Sequence, residues 1–115
     1  MKKLFGLICI LSISFVQAQK IEPTYEKSQD LVKATYYYSN RNIREQGFFK
    51  NKKLTGTWTS FDEKGNKTAI AHYKDGKKTG KWFLWQGKML NEINYKNNTI
   101  ASVQIWKEGS KITLK

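Results

Sequence analysis

A block of aromatic, glycine and tryptophan positions occurs twice in register along the chain, and this internal repeat confines it to a small set of architectures. Phe49-Lys50, Gly56, Trp58 and Phe61 recur as Tyr73-Lys74, Gly80, Trp82 and Trp85, every member displaced by the same interval. A third, degenerate unit carries Tyr95-Lys96 after a slight shortening and has Trp106 near its end. Fixed periods of about 20–50 residues mark arrays in which one supersecondary unit stacks on the next, and the interval from Phe49 to Tyr73 is of that kind.

Within each unit, side chains alternate with the period of two that half-buried strands show. Leu54, Gly56 and Trp58 share one face, with Thr55, Thr57 and Thr59 on the other. Gly80, Trp82 and Leu84 oppose Lys81, Phe83 and Trp85, and Ala69, Ala71 and Tyr73 alternate with Thr68, Ile70 and His72. Turn signals separate the runs at 39–42, Asn51-Lys52, 62–66, Asp75-Gly76, Gln86-Gly87, Asn97-Asn98 and Glu108-Gly109. Asp-Gly and Asn-rich pairs tolerate the positive φ angles that tight hairpins demand. Seven turns between eight short strands predict an all-β fold, an antiparallel meander. Gly56 and Gly80 admit two readings. The expectation is a slot in which Phe49 or Tyr73 lies against bare backbone; the alternative is a β-bulge.

The chain opens with Lys2 and Lys3, then an apolar run from Leu4 to Val16 interrupted only by Gly6, Ser12 and Ser14, then Val16-Gln17-Ala18. That is the layout of a secretory signal peptide. The run also falls short of the roughly twenty apolar residues that a membrane span needs; an uncleaved anchor is the alternative. The expectation is export to the periplasm or the extracellular space, with residues 1–18 as signal, 19–35 as an N-terminal segment and 36–115 as the β-repeat domain. Cys9 leaves with the signal, so the chain from Gln19 onward contains no cysteine for disulfides or thiolate metal sites. Aromatic residues make up 14% of the chain, too many for a disordered segment. The only proline is Pro23, so no later strand lacks a backbone donor.

The repeated residues resemble the MORN repeat. Tyr73 to Trp82 reads aromatic-x-x-Gly-x-x-x-Gly-x-Trp, and Phe49 to Trp58 is a second copy with Lys52 at the first glycine. The chain is also similar, over about Tyr37 to Trp106, to the YwqK-type antitoxin-like repeat proteins of bacteria. Phe49, Gly56, Trp58, Tyr73, Gly76, Gly80, Trp82 and Tyr95 carry the pattern. Arg41 and Lys52 depart from it at turn positions where glycine is usual, and the third unit lacks Gly-x-Trp, as a capping repeat does. The resemblance implies hairpin arrays used for membrane-proximal attachment, scaffolding or protein binding. Neutralising a cytosolic toxin fits poorly with an exported chain.

Catalytic chemistry finds little to work with. His72 is the one histidine, placed mid-strand where a packing or surface role suffices. A nucleophilic triad needs a nucleophile, a base and an orienting group together. Nucleotidyl transfer would need paired histidines or a phosphate-cradling glycine loop opening a helix, and neither is present. Asp62 and Glu63 sit in a turn without the alternating oxygen ligands and distal glutamate of a calcium loop. Asp30, Glu45, Glu92 and Glu108 are scattered. The expectation is a protein without catalytic residues, cofactor or metal.

Charge is the more informative signal. Without Lys2 and Lys3, 19 cations stand against 9 acids, a net charge of +10. Alternate turns of a meander share one end of the sheet, so Lys50, Lys52, Lys53, Lys74, Lys77, Lys78 and Lys96 would line one edge with only Asp75 among them. The other end, with Arg41, Asp62, Glu63, Lys64, Lys88 and Glu108, is nearly balanced. Such an edge suits an envelope protein or an anionic surface of lipid or lipopolysaccharide; export argues against nucleic acid. Edge lysines also serve simply to keep strands soluble. Self-association through open sheet edges is the alternative function. Phe61, Phe83 and Trp85 fall on the face away from Trp58 and Trp82, with the segment from Lys20 to Lys33 as their expected cover.

Overall fold

The period-two runs become strands, and the turns form where the backbone takes left-handed conformations. The computed structural model describes residues 21–107 and the backbone of 110–114; the expected signal segment and the Glu108-Gly109 turn lie outside the described residues. In chain order the strands are β1 (Thr24–Ser28), β2 (Leu31–Tyr37), β3 (Ile43–Lys50), β4 (Lys53–Phe61) and β5 (Lys67–Lys74). They continue as β6 (Lys77–Lys78), β7 (Gly80–Gln86), β8 (Met89–Lys96), β9 (Thr99–Lys107) and β10 (Ser110–Leu114). One sheet runs β1-β2-β3-β4-β5-β7-β8-β9-β10, with β6 paired to β5 just ahead of β7. Every pairing is antiparallel.

The fold is the expected all-β meander, with a longer ladder. Two strands, β1 and β2, lie in or begin in the 19–35 segment that was expected to precede the repeat domain. Because β1 and β2 pair edge to edge in the sheet, they do not cover Phe61, Phe83 and Trp85. That expectation is corrected: Trp85 is 36% exposed and stacks on Phe83 at 6.3 Å, with Phe61 half-buried.

Three hairpin tips repeat one geometry. Asn51 and Lys52, Asp75 and Gly76, and Asn97 and Asn98 all have positive φ, the signature of a two-residue turn matched to strand twist. The tips also interlock. The Gly76 amide donates to the Leu54 carbonyl at 2.8 Å, and the Asn98 amide repeats this bond to the Lys78 carbonyl at 2.9 Å. Lys52 occupies the Gly76 position at φ 65°, where a β-carbon costs about 1–2 kcal/mol. Lys52→Gly is therefore expected to stabilise the fold by about 1 kcal/mol, after the offset from greater unfolded-state freedom. Urea denaturation of the two proteins checks this.

Gly56 and Gly80 belong to bulges, not to slots. Phe48 faces Thr55 while Gln46 faces Thr59, so β4 carries two extra residues opposite β3. In the next unit Tyr73 faces Lys78 while Ile70 faces Phe83, the same two-residue excess. Gly56 and Gly80 sit within these excesses at φ +68° and +69°. A β-carbon there would meet Phe48 or His72 at ordinary distances of 3.7 and 3.8 Å, so left-handed backbone is what requires glycine.

The close approach falls instead at Gly47. A β-carbon on Gly47 would overlap Cδ2, Cε2 and Cε3 of the Trp58 indole, which lies flat over it. From that seat Trp58 Nε1 donates to the Phe48 carbonyl at 3.1 Å. In the next unit, where Ala71 stands at the Gly47 position, Trp82 Nε1 donates to the equivalent His72 carbonyl at 3.0 Å. Ala34, Trp58, Ala71 and Trp82 are the buried hydrophobic core among the described residues, with buried Thr35 on the opposite face. Small residues paired with two indoles thus replace the second layer that a sheet normally packs against.

Candidate binding surface

Two surfaces emerge from this ladder: a row of lysines at one end and a stripe of aromatic rings along one face. The row is set by the meander, because the tips after β1, β3, β5 and β8 all point the same way. Lys50, Lys52, Lys53, Lys74, Lys77, Lys78 and Lys96 lie at that end, as the alternation of turns predicts. Its acids are Asp75 and Asp30, the latter added by the unexpected β1–β2 turn and 3.6 Å from Lys50 Nζ.

Two lysine pairs face each other directly across the ladder, Lys50 with Lys53 and Lys74 with Lys77. Like charges opposite one another destabilise a sheet by up to about 1 kcal/mol per pair. Successive tips lie two strands apart, about 10 Å. Lys78 departs from the row. Its ammonium lies 5.1 Å from the Trp82 ring centroid and 5.2 Å from that of Tyr95, while its amide donates to Asn98 Oδ1 at 2.7 Å. It clamps one repeat to the next, so the row at the end itself is Lys50, Lys52, Lys53, Lys74, Lys77 and Lys96, with Lys50 paired to Asp30.

The far end was expected to be nearly balanced, but among the described residues it carries Arg41, Lys64, Lys67, Lys88 and Lys107 against Asp62 and Glu63, because β5 opens and β9 closes on a lysine there. Its turns are built from hydrogen bonds. Asp62 Oδ1 accepts the amides of Lys64 and Asn66, each at 2.9 Å. These bonds, that from Asn66 first, hold the Asp62 carboxyl below its ordinary range. Asn40 and Asn42 donate to the Glu63 carbonyl at 3.2 and 2.8 Å, tying the neighbouring turns together.

The aromatic stripe follows the repeat. Phe49 and Tyr73 stand edge-on to Trp58 at 5.2 and 6.5 Å, and Tyr73 and Tyr95 flank Trp82 at 5.2 and 4.9 Å. Tyr36 stacks on Trp58 at 6.5 Å and meets Tyr25 edge-on at 6.4 Å. Desolvation lifts the phenols of Tyr36 and Tyr73 above their ordinary range, with the Tyr25 hydrogen bond adding at Tyr36.

All eight repeat-defining residues fall in matched places. Phe49, Trp58, Tyr73, Trp82 and Tyr95 form the stripe, Gly56 and Gly80 the bulges, and Gly76 a tip. Gly47, Ala34 and Tyr25 were not singled out from the sequence. His72 engages Thr57, with Nδ1 at 3.2 Å from Oγ1. Among the described residues no group of three or more His, Cys, Asp or Glu side chains is placed to hold a metal ion. Compared with known proteins, the chain matches no family model, and no curated protein or solved structure is significantly similar to it.

Proposed function

We propose that the protein is a non-catalytic binding module of the MORN-repeat kind, exported to the cell envelope, whose lysine end engages an anionic surface. The observation that supports this is the gathering of Lys52, Lys53, Lys74, Lys77 and Lys96, beside the ion-paired Lys50, from three successive tips at one end against Asp30 and Asp75. The repeated Lys50–Lys53 and Lys74–Lys77 pairs add to it, since an anion between them would relieve their repulsion. Each lysine close to an anionic bilayer contributes about 1 kcal/mol. Four touching at once give about 4 kcal/mol, or millimolar affinity, so the end steers and assists a second contact.

Co-sedimentation of the protein, purified without residues 1–18, with neutral and anionic vesicles tests this reading. The expected result is binding to anionic vesicles alone, lost at high salt because exposed charges are screened. Changing Lys53, Lys74 and Lys77 together to Gln should weaken that binding at least tenfold. Binding that persists in salt would move the contact to the aromatic residues. No binding to either vesicle would defeat the membrane version and leave an acidic envelope protein as the partner. The second reading, self-association, draws on the open outer sides of β1 and β10 at the two ends of the strand order. Concentration-dependent sedimentation velocity distinguishes it.

A further inference from the structure

The aromatic stripe changes at one place, where Tyr36 and not a tryptophan links Tyr25 to Trp58. In two successive units a tryptophan fills the space between the leading aromatic of its own unit and that of the next. Trp58 lies between Phe49 and Tyr73, and Trp82 between Tyr73 and Tyr95. One repeat interval upstream of Phe49 the leading aromatic is Tyr25, but the same interval upstream of Trp58 falls on Ala34. No indole therefore comes from β2 to fill the space between Tyr25 and Phe49. A pocket of about 360 Å³ opens there, lined by Tyr25, Val32, Tyr36, Phe49, Asn51 and Lys52. Its volume is in the range of small-ligand sites, about 300–1,000 Å³.

We propose that this pocket binds a planar aromatic group of about indole size that carries a carboxylate. The aromatic requirement comes from the repeat itself, which twice shows an indole between two such rings. The charge preference comes from Lys52, whose tip position borders the pocket and which has no carboxylate within ion-pair distance among the described residues. Lys78 shows that a lysine beside a tip can reach ring faces in this sheet. The assignment stands independently of the membrane reading, since it needs one lysine and no surface.

Titration of the isotope-labelled protein with indole-3-acetate, followed by amide NMR, tests the site. Indole-3-acetate is expected to shift the amides of Tyr25, Val32, Phe49 and Lys52 and to saturate with a Kd of about 1 mM or tighter. Indole alone should bind about fivefold more weakly, and acetate alone should leave these amides unmoved. Lys52→Asn keeps a residue suited to the left-handed tip and should reduce indole-3-acetate to the affinity of indole. Tyr25 is 59% exposed, so Tyr25→Ala removes one wall without opening the core and should cost both ligands about tenfold. Val32→Trp, which fills the pocket from its own lining, should abolish binding; if it does not fold, Tyr25→Ala decides. Shifts mapping elsewhere, no saturation, or unchanged affinity in Tyr25→Ala would overturn the proposal. A parallel titration with acetyl-Asp-Trp-Asp-amide separates the sources: tighter binding than the free acid assigns the ring to a protein partner, weaker binding to a small molecule.

Discussion

Trp58→Ala is expected to cost about 3–5 kcal/mol of folding stability, measured by urea denaturation. The figure is large because the ring replaces a second layer. Trp58 is 5% exposed and touches Tyr36, Phe49 and Tyr73, and it is one of only four buried hydrophobic residues among those described. Its removal also leaves the Phe48 carbonyl without its indole donor. Domains of this size are stable by about 5–15 kcal/mol, so the variant should approach or cross the folding threshold. A loss below about 1 kcal/mol would show that the sheet is held mainly by its backbone ladder.

Gly47→Val carries the second large effect, about 3 kcal/mol or more, because the added carbons must displace an indole packed flat on the backbone. A double-mutant cycle gives the sharper readout. In a Trp58→Ala background the cost of Gly47→Val should shrink by at least about 1 kcal/mol, since the obstructing ring is gone. Gly56→Ala should behave differently. Its penalty of about 1–2 kcal/mol comes from left-handed backbone and should be the same with or without Trp58. Equal coupling at both glycines would refute the distinction between slot and bulge.

The repeat makes the sheet legible in the sequence, because side-chain alternation and left-handed turn residues are local signals. The tips at Asn51-Lys52, Asp75-Gly76 and Asn97-Asn98 fall where their residue types place them. The role of each glycine was not legible in the same way. A glycine marks either positive φ or a close approach, and spacing alone does not separate the two. Gly56 and Gly80 are conspicuous because they repeat, whereas Gly47 recurs as Ala71, so the glycine on which the Trp58 indole packs does not stand out in the repeat. Small residues at the repeat interval were the available signal. The upstream strands are hidden in the sequence for a similar reason. Tyr25 keeps the period, but its unit has Val32 and Ala34 where later ones have glycine and tryptophan. The lysine row was readable because only the parity of turns decides it. The departure of Lys78 was not, since it depends on two rings brought beneath its ammonium.

The bond from Gly76 to Leu54 and its copy from Asn98 to Lys78 have an evolutionary corollary. Each unit docks on its predecessor through the same backbone atoms, so energies in such an array are largely nearest-neighbour sums. Duplicating the stretch from Lys53 to Gly76 in frame would lengthen the molecule by two strands, about 10 Å. It would also add one more lysine-bearing tip at the same end. If the proposed anionic contact holds, tandem duplication adjusts its strength by changing valence, leaving every individual contact as weak as before.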